Sequence, residues 1–97
     1  MKIVKNVCFG GFGLSLKALT LLSERTGKSI IDCQEDYEFG GDEARTAPEL
    51  VQVVEELGKE AGDSFANLVV VEGPDDVDWV IEEYDGYETI EEVHRSW

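Results

Sequence analysis

A glycine-rich segment near the start of the chain has the pattern of an anion-binding loop. Its residues are Gly10, Gly11, Phe12 and Gly13. The segment lies between an apolar stretch and a helix start at Ser15, and backbone N–H groups at such a junction can point toward an anion. Leu16 stands where the dinucleotide-binding fingerprint has its third glycine, so the spacing departs from that fingerprint. A structural turn explains the same residues, and both interpretations stay open.

Cationic and aromatic side chains elsewhere in the chain could complete such a site. The candidates are Arg45, His94, Arg95 and Trp97. A guanidinium or an imidazole can bind a phosphate or carboxylate, and aromatic rings can stack on cations. Arg45 and Arg95 are also two of the few cations in an acidic chain, which favours the alternative of internal salt bridges.

Catalytic and metal-binding patterns are weaker. Cys8 and His94 could form a thiolate pair, but a cysteine at the end of a buried strand is typical of a packed core. Asp76 and Asp78 begin like a calcium loop, and Val80 then breaks the pattern. One histidine and two separated cysteines give no zinc-site spacing. We therefore expect no metal, no cofactor and no catalytic residues, with a small hydrolase using Cys8 or paired carboxylates as the least favoured alternative.

The charge of the chain limits its partners. Its 97 residues carry 8 basic and 22 acidic side chains, for a net charge of −14 at pH 7. Nucleic-acid binders and proteins that dock on anionic membranes both need clustered Lys and Arg. We therefore expect no direct nucleic-acid binding and no membrane binding. The expected partner is an anionic small molecule or another protein.

Size and apolar content predict a single domain over residues 1–97. The longest apolar run, Leu68–Val71, is far shorter than the roughly 20 residues of a membrane helix, and the first residues lack the apolar core of a signal peptide. We expect a cytoplasmic protein with Cys8 and Cys33 reduced. A core this small adds little stability beyond chain entropy, so homo-oligomer formation is a further expectation.

The N-terminal half predicts a β-α-β unit. Residues 2–8 predict a strand, and Ser15 is a favourable N-cap for a helix that Gly27 ends. Residues 28–33 predict a second strand, parallel to the first through a right-handed crossover. Residues 34–44 predict an exposed loop, and a loop of this length is typical of a functional segment.

The C-terminal half predicts a helix followed by strands. Thr46–Glu49 has the pattern of a capping box, with Pro48 in the first turn of a helix that Gly58 or Gly62 ends. Residues 67–72 predict a buried strand. The whole chain therefore predicts an α+β fold of order β-α-β-α-β-β-β, with a C-terminal antiparallel meander and two helices packed on one face of the sheet.

The dipeptide Asp85-Gly86 is a strong signal for a two-residue hairpin turn. The predicted register pairs Tyr84 with Tyr87, Ile81 with Ile90 and Glu83 with Glu88. The like charges of the last pair are unfavourable unless a cation lies beside them.

Both ends of the chain resemble a family of small phage and prophage proteins. The resemblance rests on Cys-Phe-Gly-Gly-Phe-Gly-Leu-Ser at residues 8–15, on residues 50–58, on Glu-Glu-Tyr-Asp-Gly at 82–86 and on His-Arg-Ser-Trp at 94–97. It implies a phage-type origin and a shared fold, and it implies no catalytic residues.

These observations favour a non-enzymatic phage-type accessory protein that acts by binding or sequestration. In the sharper form of this hypothesis, the glycine-rich segment, Ser15, Arg45 and the C-terminal tail hold an anionic, nucleotide-derived ligand in an anti-defence role. The alternative is an acidic inhibitor that mimics nucleic acid and binds a host or defence protein.

Overall fold

The structure of the protein, a computed structural model, describes residues 1–75 and 78–92. In chain order the elements are strand β1 (Lys2–Asn6), helices α1 (Leu16–Thr26) and α2 (Ile30–Cys33), a π-helical turn (Gln34–Glu38), a 3-10 turn (Asp42–Thr46), helix α3 (Pro48–Leu57), a second 3-10 turn (Gly58–Glu60), and strands β2 (Leu68–Glu72), β3 (Trp79–Tyr84) and β4 (Tyr87–Glu92). None of the helices in the described ranges is long and apolar enough to cross a membrane.

The strands of the described residues form two antiparallel sheets, β1 with β2 and β3 with β4. Helix α3 packs against both β1 and β2, and α1 packs on α3. The predicted α+β class is therefore confirmed. The C-terminal antiparallel strands are also present, as a hairpin that forms its own sheet.

The main core lies between α1, α3 and the β1–β2 sheet. Its fully buried side chains include Val4, Leu22, Leu50 and Val53. Leu50, Val53 and Val54 recur at helical spacing, so one stripe of α3 enters the core while its acids face outward. Burial of each such side chain contributes about 1.5–3 kcal/mol.

The two ends of α1 confirm the predicted caps. The Ser15 hydroxyl accepts a hydrogen bond from Ala18 N at 3.1 Å. Gly27 adopts a left-handed φ of 76°, and its N–H donates to Ser23 O. A glycine adopts this conformation without the penalty that a Cβ imposes.

The start of α3 corrects the predicted capping box. Pro48 is the first helical residue as predicted, but Ala47 is the N-cap, and the Thr46 hydroxyl donates instead to Glu43 O at 3.2 Å. Thr46 belongs to the preceding 3-10 turn, so its side chain points back along the chain. Gly58, one of the two predicted stops, ends the helix.

The predicted strand over residues 28–33 is wrong. The Ser29 hydroxyl accepts a hydrogen bond from Asp32 N at 3.1 Å and so begins α2, which buries Cys33 and leaves Ile31 68% exposed. An apolar run this short is compatible with helix or strand, and here the N-cap decides. The predicted parallel β-α-β unit is wrong as well, because β1 pairs with β2 in antiparallel orientation.

The predicted exposed loop over residues 34–44 is helical and partly packed. A π-helical turn continues α2, and its Tyr37 is only 4% exposed. The Tyr37 hydroxyl donates to the Glu49 carboxylate at 2.7 Å, which ties this turn to the start of α3. The acidic composition of the segment favoured an exposed loop, and the burial of Tyr37 was not predicted from the sequence.

Candidate functional site

The amide of Asn6 joins three parts of the chain at the end of β1. Its Nδ2 donates to Cys8 O and to Gly86 O, each at 2.7 Å. Its Oδ1 accepts from Cys8 N at 3.2 Å and from Asn67 N at 2.9 Å. The side chain is fully buried, and all of these hydrogen bonds are made inside the fold. Asn6 therefore fixes the glycine-rich segment and the β3–β4 turn to the first sheet.

A buried ion pair lies beside Asn6. Arg45 Nη1 is 2.7 Å from Glu88 Oε1, and Nη2 is 3.0 Å from Oε2. The two residues are 8% and 5% exposed. Glu88 Oε1 also accepts from Asn6 N at 2.8 Å, and Arg45 Nη1 donates to Val4 O at 3.4 Å. The bidentate geometry is the strong form of this interaction.

The backbone register explains why Val4 O and Asn6 N of β1 are free to bond with Arg45 and Glu88 and not with β2. Met1 and Gly73 exchange hydrogen bonds at 2.9 and 2.8 Å, and Val7 N donates to Asn67 O at 2.9 Å. Bonded positions alternate along a strand, so odd-numbered residues of β1 face β2 and even-numbered residues face the opposite edge. The Arg45–Glu88 ion pair therefore occupies the outer edge of β1, where a third strand would otherwise pair.

Phe12 forms one wall of this site. The Arg45 guanidinium carbon lies 3.5 Å from the centre of the Phe12 ring, within cation–π range. Arg45 Nε is buried and has no hydrogen-bond partner among the described residues. The structure thus brings together two of the predicted site residues, Phe12 and Arg45. The geometry of Arg45 is that of the internal salt bridge, the alternative interpretation of this residue.

The glycine-rich segment is closely packed against neighbouring backbone. A Cβ on Gly10 would lie 2.1 Å from Phe65 O, and a Cβ on Gly86 would lie 2.2 Å from Gly11 N. A Cβ on Gly13 would lie 2.0 Å from the Asp63 carboxylate. These glycines permit close approach of chain segments, which supports the structural-turn interpretation.

Donors at the end of the segment already have internal partners. Leu14 N donates to the Glu38 carboxylate at 2.6 Å. The Ser15 hydroxyl caps α1 and also donates to Glu60 O at 2.6 Å. An internal carboxylate thus takes up the Leu14 N–H, and a carbonyl takes up the hydroxyl of Ser15, one of the predicted site residues. The remaining predicted site residues, His94, Arg95 and Trp97, lie outside the described residues.

No protein-family model, curated protein or solved structure matches this chain. The resemblance to phage and prophage proteins therefore rests on the sequence motifs alone.

A second surface, which the sequence did not single out, lies on the outward side of the hairpin. Glu88 accepts a hydrogen bond from Asn6 N of β1, and Ile90 lines a cavity together with Ile3 of β1, so the alternate residues of β3 and β4 face away from β1. Phe9 from the glycine-rich segment packs on Tyr87, with ring centres 5.4 Å apart and an interplanar angle of 35°. We call this surface the acidic–aromatic face; it comprises Phe9, Glu82, Tyr84, Tyr87 and Glu91.

The acidic–aromatic face is exposed and negatively charged. Phe9 is 65% and Tyr84 74% exposed. Within residues 1–75 and 78–92, neither Glu82 nor Glu91 takes part in a salt bridge. By contrast, Lys2, Lys17, Arg25, Lys28 and Arg45 are each paired with an acid elsewhere. The sequence places Glu82 and Tyr84 two positions apart, which puts them on one face of a strand, but Phe9 joins the face only through tertiary packing.

Proposed function

We propose that this protein is a non-enzymatic binding protein that uses the acidic–aromatic face to recognise a basic surface on a partner protein. The observation that carries the proposal is that Phe9 and Tyr84 are exposed beside the carboxylates of Glu82 and Glu91, which form no salt bridge within residues 1–75 and 78–92. The phage-type sequence motifs favour an accessory role in the host cytosol, in which the protein blocks a host or defence component.

The chemistry of the face fits such a partner. Aromatic side chains bury large apolar area at low entropic cost, and they accept Arg or Lys over the ring face. Carboxylates such as those of Glu82 and Glu91, which no cation of the described ranges pairs, attract a basic surface at long range and orient its approach. The net charge of −14 adds to this attraction. The combination of aromatic anchors and negative potential supports protein recognition.

Sequestration of an anionic, nucleotide-derived ligand is the second candidate. One observation favours it: the Nε of buried Arg45, beside the ring of Phe12, has no hydrogen-bond partner in the part of the chain that the structure describes. Such a ligand would have to compete with Glu88 for the guanidinium. A thermal-shift panel of nucleotides tests this candidate, because a ligand present at 100 times its Kd stabilises the fold by about 2.7 kcal/mol. A flat panel contradicts it.

A charge-matched pair of variants tests the first candidate. The double variant Glu82→Lys/Glu91→Lys reverses the charge of the acidic–aromatic face. The control Glu24→Lys/Glu35→Lys makes the same change in net charge at exposed sites on α1 and the π-helical turn. Binding of a fluorescent arginine-rich peptide is then measured at moderate salt. We expect the first variant to lose at least about tenfold in affinity and the control to lose much less, with Tyr84→Ala also weakening binding.

Equal losses in the two double variants contradict the proposal, because they show attraction by net charge alone. Full retention of binding in Tyr84→Ala contradicts the role of the aromatic anchor. Circular dichroism of each variant checks that the fold is intact.

A further inference from the structure

Strand β2 has an outward edge that no strand of the described chain covers. The alternation that directs Val4 O and Asn6 N away from β2 also directs the backbone groups of Leu68, Val70 and Glu72 away from β1. Within residues 1–75 and 78–92, these outward groups have no backbone hydrogen-bond partner. The edge therefore offers a row of free donors and acceptors.

The two outer edges of the β1–β2 sheet differ in whether side chains cover them. The Arg45–Glu88 ion pair covers the outer edge of β1, as described above. Strand β2 consists of Leu-Val-Val-Val-Glu and has none of the lysines, prolines or bulges that usually protect an edge strand. A hydrophobic edge without such protection is a template for pairing with another segment.

An open groove runs beside the β2 edge. Its volume is about 420 Å³, and its lining residues are Val54, Glu55, Gly58, Leu68, Val69 and Val70. Gly58, at the end of α3, has no atom within 4 Å of the position of a Cβ, so no side chain closes the groove there. Val54, Leu68 and Val70 supply the apolar part of the lining, and Glu55 lies on its α3 side.

Charge selects among the segments that could occupy the groove. Glu55 lines it and is paired with Lys2 at 3.0 Å, and exposed Glu72 stands opposite Lys2 at the end of the strand, so these three side chains leave one net negative charge. A second copy of the chain would bring another net charge of −14 to the same place, which is unfavourable. An extended segment with lysine or arginine side chains meets both the outward backbone groups and this net negative charge.

We propose that the outward edge of β2 binds an extended basic peptide segment of a partner protein, which adds to the β1–β2 sheet as a third strand. Main-chain hydrogen bonds to Leu68, Val70 and Glu72 give affinity, and the acids give the preference for basic side chains. This surface is separate from the acidic–aromatic face, and the inference does not rest on the function proposed for that face.

The test uses a labelled peptide of alternating lysine and valine, with an acidic peptide of alternating glutamate and valine for comparison. Val70→Pro removes an outward N–H that β1 does not use, a position where an edge strand tolerates proline. Val70→Ala is the matched control, because it shortens the side chain and keeps the N–H. We expect Val70→Pro to weaken binding of the basic peptide at least about tenfold and Val70→Ala to weaken it much less.

A second measurement does not depend on the folding of the proline variant. The basic peptide is N-methylated on alternate residues, in each of the two possible phases, and titrated into the wild-type protein. Strand addition uses the donors of one phase only, so one methylated peptide should fail to bind while the other binds as the parent does. Amide shifts observed by NMR should centre on Leu68, Val70 and Glu72.

Several results overturn the proposal. These are equal affinity for both methylated peptides, equal affinity for the acidic peptide, unchanged binding in Val70→Pro, and NMR shifts centred on Tyr84 instead of β2. A dimer of the wild-type protein in sedimentation that Val70→Pro dissociates also overturns it, because the occupant of the edge would then be a second copy. Loss of peptide binding on charge reversal of Glu82 and Glu91 alone would implicate the acidic–aromatic face, so the two proposals fail separately.

Discussion

Glu83 and Glu88 stand directly opposite each other in the β3–β4 hairpin, and their carboxylates bind different partners. Glu88 forms the buried ion pair with Arg45, while Glu83 Oε1 accepts a hydrogen bond from Gly86 N at 2.8 Å. The like-charge pair is tolerated because one carboxylate meets a guanidinium and the other stabilises the turn. The predicted register required a cation beside this pair, and that cation is Arg45, which lies 43 positions before Glu88 in the chain.

Removing one partner of the buried ion pair should strongly destabilise the fold. Arg45→Ala leaves the Glu88 carboxylate buried without its cation, and we expect a loss of about 3–5 kcal/mol in the free energy of unfolding. Urea denaturation measures this loss. The double variant Arg45→Met/Glu88→Leu removes both charges, and its loss in the free energy of unfolding should be smaller than the sum of the losses in the single variants.

The control is Lys2→Ala, which breaks an exposed pair with Glu55 and should change the free energy of unfolding little. Equal stability of Arg45→Ala and Lys2→Ala would contradict the structural role of the buried pair.

Loss of the Asn6 Nδ2 donor should destabilise the fold. Asn6→Asp replaces Nδ2 with an oxygen that faces Cys8 O and Gly86 O, and we expect a loss of at least about 2–3 kcal/mol. Asn67→Asp makes the same chemical change on an exposed side chain and should be nearly neutral. Thermal and urea unfolding of the two variants compare them directly. A neutral Asn6→Asp would show that the Asn6 hydrogen bonds do not hold the hairpin.

Two glycines with similar backbone conformations should respond differently to alanine. Gly27 and Gly86 have φ of 76° and 91°. A Cβ on Gly27 meets nothing within 4 Å, so Gly27→Ala should cost only the conformational penalty of about 1–2 kcal/mol. A Cβ on Gly86 would lie 2.2 Å from Gly11 N, so the turn or the glycine-rich segment must move. We expect Gly86→Ala to cost about 1–3 kcal/mol more than Gly27→Ala in urea unfolding. Equal costs would mean that this contact is not tight in solution.

The stability of the protein should fall in acid partly through Glu49. The Glu49 backbone N–H and the Tyr37 hydroxyl hold the pKa of Glu49 below its usual value. Burial, together with the hydrogen bond to Glu49, raises the pKa of Tyr37. Because the folded pKa of Glu49 is the lower one, its ionised form stabilises the fold above the unfolded pKa of about 4.3, and this contribution is lost as pH falls through the folded pKa.

The measurement is urea unfolding from about pH 7 to about pH 3 for wild type, Glu49→Gln and Tyr37→Phe. The stability difference between wild type and Glu49→Gln should be largest near neutral pH and should shrink in acid. Tyr37→Phe should lose about 1–3 kcal/mol at neutral pH, as expected for a hydrogen bond to a charged group. A difference between wild type and Glu49→Gln that is the same at every pH would contradict the assignment.

Features governed by neighbouring residues were predictable from the sequence. Ser15 and Gly27 bound α1 as predicted, because capping depends on residues within one turn of the helix. The Asp85-Gly86 turn fixed the hairpin register, because a two-residue loop leaves a single alignment of the strands. Local signals failed at residues 28–33, where a short apolar run fits either a helix or a strand.

Contacts between distant segments were decided only by the tertiary structure. The sequence raised both a salt bridge and a ligand site for Arg45, and the choice of Glu88 as its partner depends on how the 3-10 turn, β1 and the hairpin pack together. Phe9 joins the acidic–aromatic face for the same reason. A charge is stable in the interior only when its partner arrives with the right geometry, and that geometry is a property of the whole fold.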